Sequence, residues 1–333
     1  MPEFTRGLII AGIALVIVII ALSAFVNVMF KLALNKRGDG SPALRYLQAE
    51  DFVGLVGEPI KFNGNKKQVL RGYLYSNQQF KTFKELVIFT HGIGAGHTAY
   101  TTEINRLAKE GFLVLAFDYT GCALSSGRAM KSLIQPLVDL DYAFSYIESR
   151  SDIKDLKRYI VGHSWGGYVA MSSVLLKKHR VDKVVSLSAF LSPSLVTIAN
   201  RPALYPLYPF IYMHGFWRYG RYATYNGVKA LRKVKIPMLL IHGREDRVIK
   251  TKNSIDRFAK VAKAKANIEL LYIEDRGHLP YLSKRAEDYL YQVQKDKAIY
   301  DRKNPVLNYE INYELITEED EGVMKKIVIF LKK

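Results

Sequence analysis

A serine, an aspartate and a histidine that could form a catalytic triad each follow a short apolar run in this 333-residue chain. Ser164 lies in the sequence Gly-His-Ser-Trp-Gly at residues 162–166, directly after an apolar run. Asp246 and His278 follow the ends of two later apolar runs. A serine hydroxyl becomes a nucleophile when a histidine, oriented by a carboxylate, removes its proton. These residues therefore predict acyl-transfer chemistry at Ser164.

The surroundings of Ser164 strengthen this interpretation. A Gly-x-Ser-x-Gly pattern between a strand and a helix is typical of a nucleophile elbow, and its glycines leave room for a sharp turn. The start of the following helix offers free N–H groups for developing negative charge. The order serine, acid, histidine is the order expected for this elbow. Two alternatives remain: Ser164 as a structural helix-start serine, and Glu245 instead of Asp246 as the acid.

Short apolar runs alternate with helical stretches along the rest of the chain. The runs are 69–75, 86–89, 113–117, 159–161, 184–187, 238–241 and 270–273, and the main helical stretches are 102–110, 134–149, 167–176 and 254–263. Continuous apolar runs suit parallel strands that are covered on both faces. The pattern predicts an α/β fold with a mostly parallel central sheet and helices on both faces. A last helix is predicted over 318–331, with Thr317 as its N-cap.

Two segments do not follow this alternation of apolar runs and helical stretches. Residues 190–230 are rich in aromatic side chains and proline, which predicts a small cap inserted over the strand ends. Residues 7–30 are uncharged and almost entirely apolar, and a helix of that length spans about 36 Å, enough for a hydrocarbon core of about 30 Å. We interpret 1–30 as an uncleaved transmembrane anchor. A signal peptide cleaved near residues 21–23 is the alternative.

The charge of the chain bears on its partners and location. The formal net charge is +18, and no nucleic-acid-binding module accompanies it, so an anionic lipid surface is the predicted partner and nucleic acid is not. Lys31, Lys36 and Arg37 follow the apolar segment, which favours a cytoplasmic catalytic domain. The single cysteine, Cys122, excludes an intrachain disulfide. The histidines show no metal-ligand spacing, so we predict no metal site.

Several further motifs lie at predicted strand ends. They are residues 91–94 (His-Gly-Ile-Gly), 118–121 (Asp-Tyr-Thr-Gly), 162–166, 242–246 (His-Gly-Arg-Glu-Asp) and 277–278 (Gly-His). In this order they resemble the α/β-hydrolase superfamily over residues 55–333, and especially its monoacylglycerol-lipase-like or serine-aminopeptidase-like branch. The resemblance implies that the backbone N–H groups of Ile93 and Trp165 form the oxyanion hole, and that no cofactor is needed. The sequence Cys-Ala-Leu at 122–124 departs from the glycine-rich residues of many relatives.

The predicted organisation is a transmembrane anchor at 1–30, a linker at 31–54 and an α/β-hydrolase catalytic domain at 55–333. The predicted function is hydrolysis of carboxylic esters, with a hydrophobic acyl or lipid-like group, through Ser164, His278 and Asp246. Two other hypotheses stand beside it: a peptidase, aminopeptidase or acyltransferase that uses the same triad, and a catalytically inactive binding protein tethered to a membrane.

Overall fold

A single sheet organises the part of the chain that the structure, a computed structural model, describes: residues 3–41, 44–199, 201–303 and 310–333. Within these residues eight strands lie in the order β1-β2-β4-β3-β5-β6-β7-β8. The strands are β1 Leu55–Asn63, β2 Val69–Asn77, β3 Glu85–Thr90, β4 Leu113–Phe117, β5 Lys157–His163, β6 Lys183–Leu187, β7 Met238–Gly243 and β8 Ile268–Ile273. Strands β3 to β8 pair in parallel, which confirms the predicted mostly parallel sheet.

Strand β1 was not predicted. It pairs antiparallel with β2, which in turn pairs antiparallel with β4. Gly57 and Pro59 interrupt the β-forming pattern of β1. An edge strand has a neighbour on one side only. Proline is tolerated there when its nitrogen faces the open side, because no hydrogen bond between strands is then lost. Position at the sheet edge therefore outweighs the unfavourable local propensity.

Helices connect the strands and cover both faces of the sheet. They are α1 Glu3–Leu34, α2 Thr101–Lys109, α3 Gln135–Ser149, α4 Trp165–Ser172, α5 Pro193–Ile198, α6 Tyr208–Tyr219, α7 Gly227–Lys233, α8 Ile255–Ala262, α9 Lys284–Lys303, α10 Tyr313–Ile316 and α11 Glu321–Lys332. The predicted N-cap of the last helix was wrong. Asp320 caps α11 by accepting a hydrogen bond from the Val323 N–H, while the Thr317 hydroxyl donates to the Tyr313 carbonyl.

Successive residues of the central strands point into two separate apolar cores. Leu86 and Ile88 of β3 belong to the core formed with α3, α4, α7 and α8, whereas Val87 and Phe89 belong to the core formed with α2 and α11. All four side chains are buried. Because both faces of the strand are covered, the run must be apolar throughout, which is why its sequence shows no alternation.

Helix α1 lies largely outside these cores. It is long and apolar enough to cross a membrane, and most of its side chains are exposed. Its last third is different, because Val26 is fully buried against Ile198 of α5 and Ile211 of α6. The ring of Phe30 stacks on His214, with 4.9 Å between the ring centroids. The C-terminal end of α1 is thus docked on the predicted cap.

The chain that follows α1 is held against the loop after β4. The Arg37 guanidinium donates to the carbonyl oxygens of Ala123 at 2.6 Å and Gly127 at 2.5 Å. The Gly38 N–H donates to the Gly121 carbonyl at 2.9 Å. These contacts fix the direction in which α1 leaves the domain.

Candidate active site

Ser164 occupies a strained turn between β5 and α4. Its φ of 58° and ψ of −113° lie in a region that residues with side chains rarely adopt. The turn is possible because its two flanking glycines lie against the end of β3. A Cβ atom on Gly162 would lie 2.1 Å from the Thr90 hydroxyl oxygen, and one on Gly166 would lie 1.8 Å from the Thr90 carbonyl oxygen. Only glycine fits at either position.

The structure brings the three predicted triad residues into one hydrogen-bonded chain. The Nε2 atom of His278 lies 2.8 Å from the Ser164 hydroxyl oxygen, and its Nδ1 atom lies 2.8 Å from Asp246 Oδ2. A carboxylate can only accept, so Nδ1 carries a proton and Nε2 is free to accept the serine proton. Asp246 follows β7 and His278 follows β8, as predicted. The geometry suits removal of a proton from Ser164 by His278.

Asp246 is held by more than His278. Its Oδ1 atom accepts from the Val248 and Ile249 N–H groups at 2.8 and 2.7 Å, and its Oδ2 atom lies 3.1 Å from His242 Nε2. Burial would raise the pKa of Asp246, but the hydrogen bonds from His242 and His278 outweigh it and hold that pKa well below its ordinary value. Asp246 is therefore an ionised carboxylate. The neighbouring Glu245 is exposed, so the geometry does not favour it as the acid.

His163, inside the elbow, supports the backbone of His278. Its Nε2 atom donates to the His278 carbonyl at 2.7 Å, so its Nδ1 atom is the acceptor, 2.9 Å from the Tyr100 hydroxyl. The same hydroxyl accepts from the Gly92 N–H at 3.1 Å. Burial, followed by repulsion from His278, lowers the pKa of His163 to about 3, which keeps the ring neutral. This relay joins the loop after β3, the elbow and the loop after β8.

A second histidine–aspartate pair lies outside this arrangement. His97 Nδ1 is 2.8 Å from Asp118 Oδ1, and His97 Nε2 is 3.0 Å from the Tyr75 hydroxyl. The side chains of both members of the pair are fully buried, and Asp118 also accepts from the Leu124 N–H. This pair fixes the loops after β3 and β4. Within the described residues no group of three or more His, Cys, Asp and Glu side chains is arranged to hold a metal ion.

The two residues predicted to form the oxyanion hole, Trp165 and Ile93, lie in different parts of the fold near Ser164. Trp165 is the first residue of α4, where helix geometry leaves the N–H without an intrahelical acceptor. Its buried indole donates to the Leu133 carbonyl at 2.8 Å, which fixes the start of the helix. Ile93 lies in the loop after β3 and lines the same cavity as Ser164. Both positions are compatible with the predicted role.

Ser164 and His278 open into a cavity of about 500 Å³. Its walls include residues 44–47 of the predicted linker, residues 279, 281 and 282, and residues 313, 316 and 317 in and after α10. None of its described lining residues lies in the predicted cap. The cap lines a separate cavity of about 280 Å³, and Val248 lines both. The contribution of the linker and of α10 was not predicted, because neither segment carries a motif.

Known proteins are similar to parts of this chain. A family model described as serine aminopeptidase, S33, matches residues 81–212. The uncharacterized protein YfhR of Escherichia coli K12 is 26% identical over 219 residues, which cover 66% of this chain and 71% of that protein. An uncharacterized abhydrolase domain-containing protein of Dictyostelium discoideum is 33% identical over 112 residues, covering 33% of this chain and 11% of that protein.

Solved structures are similar to this chain over a larger share of its length. A Pyrococcus furiosus esterase is 19% identical, with a TM-score of 0.58, and the match covers 79% of this chain and 98% of that one. Acetyl xylan esterase 1 of a Thermoanaerobacterium species is 17% identical, with a TM-score of 0.53, covering 74% of this chain and 84% of that one. At these identities the likeness concerns the fold alone.

Proposed function

The chain belongs to the α/β-hydrolase superfamily, and on that premise we propose that it is a serine hydrolase of carboxylic esters, held at a membrane by α1. One observation carries the proposal: the unbroken hydrogen-bonded chain from Ser164 through His278 to the buried Asp246, at the wall of an open cavity. A serine activated in this way attacks carbonyl carbon.

The acylation step follows from the positions of these atoms. His278 Nε2 takes the proton from the Ser164 hydroxyl as its oxygen bonds to the ester carbonyl carbon. The N–H groups of Ile93 and Trp165 donate to the resulting oxyanion. When the tetrahedral intermediate collapses, the bond to the alcohol breaks and His278 gives its proton to the departing oxygen. Asp246 stabilises the cation that His278 carries in between.

Deacylation repeats these roles with water. His278 removes a proton from a water molecule, whose oxygen bonds to the acyl carbon of the acyl-enzyme. The bond to Ser164 then breaks, and its oxygen recovers the proton from His278. The products are a carboxylic acid and an alcohol, and no redox partner is required.

The cavity beneath the cap supports a hydrophobic substrate group. It is lined mainly by apolar and aromatic side chains, among them Leu195, Val196 and Tyr208. Val248 lines both this cavity and the cavity of Ser164, so the two spaces are neighbours. Burial of a methylene group in such a space contributes about 0.8 kcal/mol. We therefore propose an acyl or alkyl chain as the group that binds there.

Aminopeptidase activity is the second candidate, favoured by the family model that matches residues 81–212. An aminopeptidase needs negative charge to bind the substrate ammonium group. Glu103 is the acidic residue among the described lining residues, and burial raises its pKa well above the ordinary value, which disfavours its charged form. Arg45 adds positive charge to the same cavity. We expect hydrolysis of p-nitrophenyl esters but not of amino-acid p-nitroanilides; the reverse result would favour the peptidase.

The membrane part of the proposal rests on α1. Its exposed apolar length matches a bilayer, whereas a core helix of a soluble protein would be mostly buried. The basic residues that follow it, Lys31, Lys36 and Arg37, favour a catalytic domain on the cytoplasmic side.

Labelling with a fluorophosphonate probe, which phosphonylates activated serines, tests the proposed nucleophile. We expect wild-type protein to be labelled and Ser164→Ala to lose labelling completely. Ser149→Ala is the matched control, because Ser149 lies exposed at the end of α3, away from the cavity. Labelling that persists in folded Ser164→Ala would rule out this nucleophile. Wild-type protein that is folded but unlabelled would favour the inactive binding protein.

A further inference from the structure

A third cavity lies where α1 meets the catalytic domain, and we call it the junction cavity. Its volume is about 500 Å³, within the range of ligand pockets. The end of α1 forms one wall through Phe30 and Lys31. The turn between β1 and β2, the loop before α3, and the cap residues 217–219 form the others. It shares no lining residue with the cavity of Ser164.

The junction cavity is strongly basic. Lys31, Lys66, Lys131 and Arg218 line it, and none of its described lining residues is acidic. No carboxylate among the described residues lies within 4.0 Å of these four cations. Elsewhere, surface cations pair readily, as Lys326 does with Glu269 at 2.7 Å. A concentration of unpaired positive charge in a concave site attracts an anion.

Asp139, an acid that two of the cavity-lining residues contact, already has hydrogen-bond donors on both of its oxygen atoms. Asp139 is fully buried behind the wall and accepts from the Thr120 N–H and hydroxyl and from the Gln135 amide. Both of its oxygen atoms accept from these donors. None of the four cations of the cavity is among its hydrogen-bond partners in the described residues, although its charge attracts Lys131 from a distance.

The backbone holds two of the cations in unusual conformations. Lys66 has a φ of 53° and Lys131 a φ of 63°, in the left-handed region that favours glycine. Such conformations cluster at functional sites, where the surrounding structure maintains them. The two lysines belong to different loops, separated by 65 positions in the sequence (131 − 66). Their common position at one cavity is therefore a property of the fold.

The position of the cavity along α1 indicates the source of the anion. Arg6 and Lys31 are the charged residues that bracket the uncharged stretch 7–30. They are 25 residues apart, or about 37 Å along a helix, so each would lie at the level of lipid headgroups around a hydrocarbon core of about 30 Å. Trp217, with 77% of its surface exposed, lines the same cavity. Tryptophan is enriched at this level of a membrane.

We propose that the junction cavity binds the phosphate-bearing headgroup of an anionic phospholipid. The inference rests on the membrane-anchoring part of the proposed function, because only a spanning α1 brings the cavity to headgroup level. Lys66 and Lys131 contact the phosphate from the two loops, and Lys31 and Arg218 approach it from α1 and the cap. A lipid bound there joins α1, the cap and the catalytic domain, and so sets the height of the active site above the bilayer.

The test uses the full chain in detergent micelles, titrated with phosphatidylglycerol or phosphatidylcholine and followed by native mass spectrometry and thermal unfolding. We expect preferential binding of phosphatidylglycerol. The double variant Lys66→Gln/Lys131→Gln should weaken this binding about 25-fold, since each basic residue near an anionic surface contributes about fivefold. Lys177→Gln/Lys260→Gln removes the same charge from exposed sites elsewhere and should change the affinity less than twofold. Equal losses in both double variants would overturn the proposal.

Two further arms identify the source of the anion and guard against misfolding. Lys66→Arg/Lys131→Arg keeps both charges and should retain the affinity within about threefold, by the same charge dependence. Inorganic phosphate and glycerol 3-phosphate should bind far more weakly than the lipid. If they bind equally tightly, the site takes a free phosphate and the lipid assignment fails.

Fluorophosphonate labelling of the same samples separates this inference from the proposed enzyme. None of the four cations belongs to the catalytic machinery, so all variants should label like wild type. Labelling without preferential binding of phosphatidylglycerol would reject only the proposed lipid binding at the junction cavity. Preferential binding of phosphatidylglycerol without labelling would reject only the proposed serine hydrolase.

Discussion

His163 and Asp246 show how the protonation of single residues is set by their neighbours. His163 is buried and donates to the His278 carbonyl, and its low pKa keeps it a neutral ring that can donate and accept at once. Asp246 is buried too, yet hydrogen bonds from two histidines keep it ionised. Burial thus favours the neutral form of one group, while specific donors maintain the charge of the other.

These pKa shifts predict a simple pH dependence of activity. As pH falls from 8 to 5, we expect kcat/KM for a soluble ester to fall with a slope no steeper than one, because a single general base takes part in the acylation step. His163, with a pKa of about 3, and Asp246, with a lowered pKa, do not titrate in this window. Initial rates across the range measure it. A slope of two, or a rate independent of pH, would contradict these assignments.

The same shift in Asp246 affects stability at lower pH. A carboxyl with a depressed folded-state pKa stabilises the fold above its unfolded pKa of about 3.9, and that stabilisation is lost as pH falls below this value. Loss of this contribution therefore begins below the window of the activity measurement. A thermal-unfolding control at each pH separates loss of the base from loss of the fold.

The elbow between β5 and α4 depends on the end of β3. Strand β3 pairs with β5 in parallel, and Thr90, its last residue, lies against the turn between β5 and α4. The Thr90 hydroxyl donates to the Gly166 carbonyl at 3.0 Å. The strained backbone of Ser164 is therefore maintained by packing between neighbouring elements, as strained functional residues must be.

We expect Gly166→Ala to destabilise the fold and abolish fluorophosphonate labelling. The added Cβ would lie 1.8 Å from the Thr90 carbonyl oxygen, a backbone atom that cannot rotate away. Overpacking of this kind costs about 3 kcal/mol or more, which should lower Tm by roughly 5–10 °C. Gly322→Ala on α11 is the control, since its nearest contact would be 3.3 Å and to a side chain. An unchanged Tm and full labelling of Gly166→Ala would show that the turn tolerates a side chain.

The molecule as a whole connects its apolar N-terminal helix to the sheet domain through the cap and the loop after β4. Val26, Met29 and Phe30 pack against cap residues, while the first two thirds of α1 expose apolar side chains. Arg37 then fixes the chain to the loop at 123–127. Helix α1 is therefore part of the folded domain at one end and free of it at the other.

Two truncations should separate these roles of α1. A chain that begins after residue 22 should leave the membrane fraction, keep its activity on a soluble ester and retain its Tm. A chain that begins after residue 30 should also be released, but lose several degrees of Tm, since burying a side chain such as Val26 or Phe30 contributes about 1.5–3 kcal/mol. Fractionation and thermal unfolding measure both. If the first truncation stays with membranes, another surface binds lipid.

The parallel strands and the order of the site motifs could be predicted from the sequence because they depend on local patterns. A strand covered on both faces must be apolar throughout, and a sharp strand-to-helix turn requires glycines beside its serine. The parallel sheet then brings the ends of β5, β7 and β8 to one edge, so Ser164, Asp246 and His278 could be named as one site. Strand β1 was not predicted, because Pro59 interrupts its β-forming pattern and only the position at the sheet edge makes this residue tolerable.

Other features were decided only by the tertiary structure. The linker residues 44–47 and the residues around α10 line the cavity of Ser164, while the cap lines a different one. The burial of Val26 and the convergence of Lys66 and Lys131 on the junction cavity have the same origin. Each depends on contacts between segments far apart in the chain, and such contacts carry no local periodicity or motif. By itself the sequence determined which residues could do chemistry; the packing of distant segments determined what surrounds them.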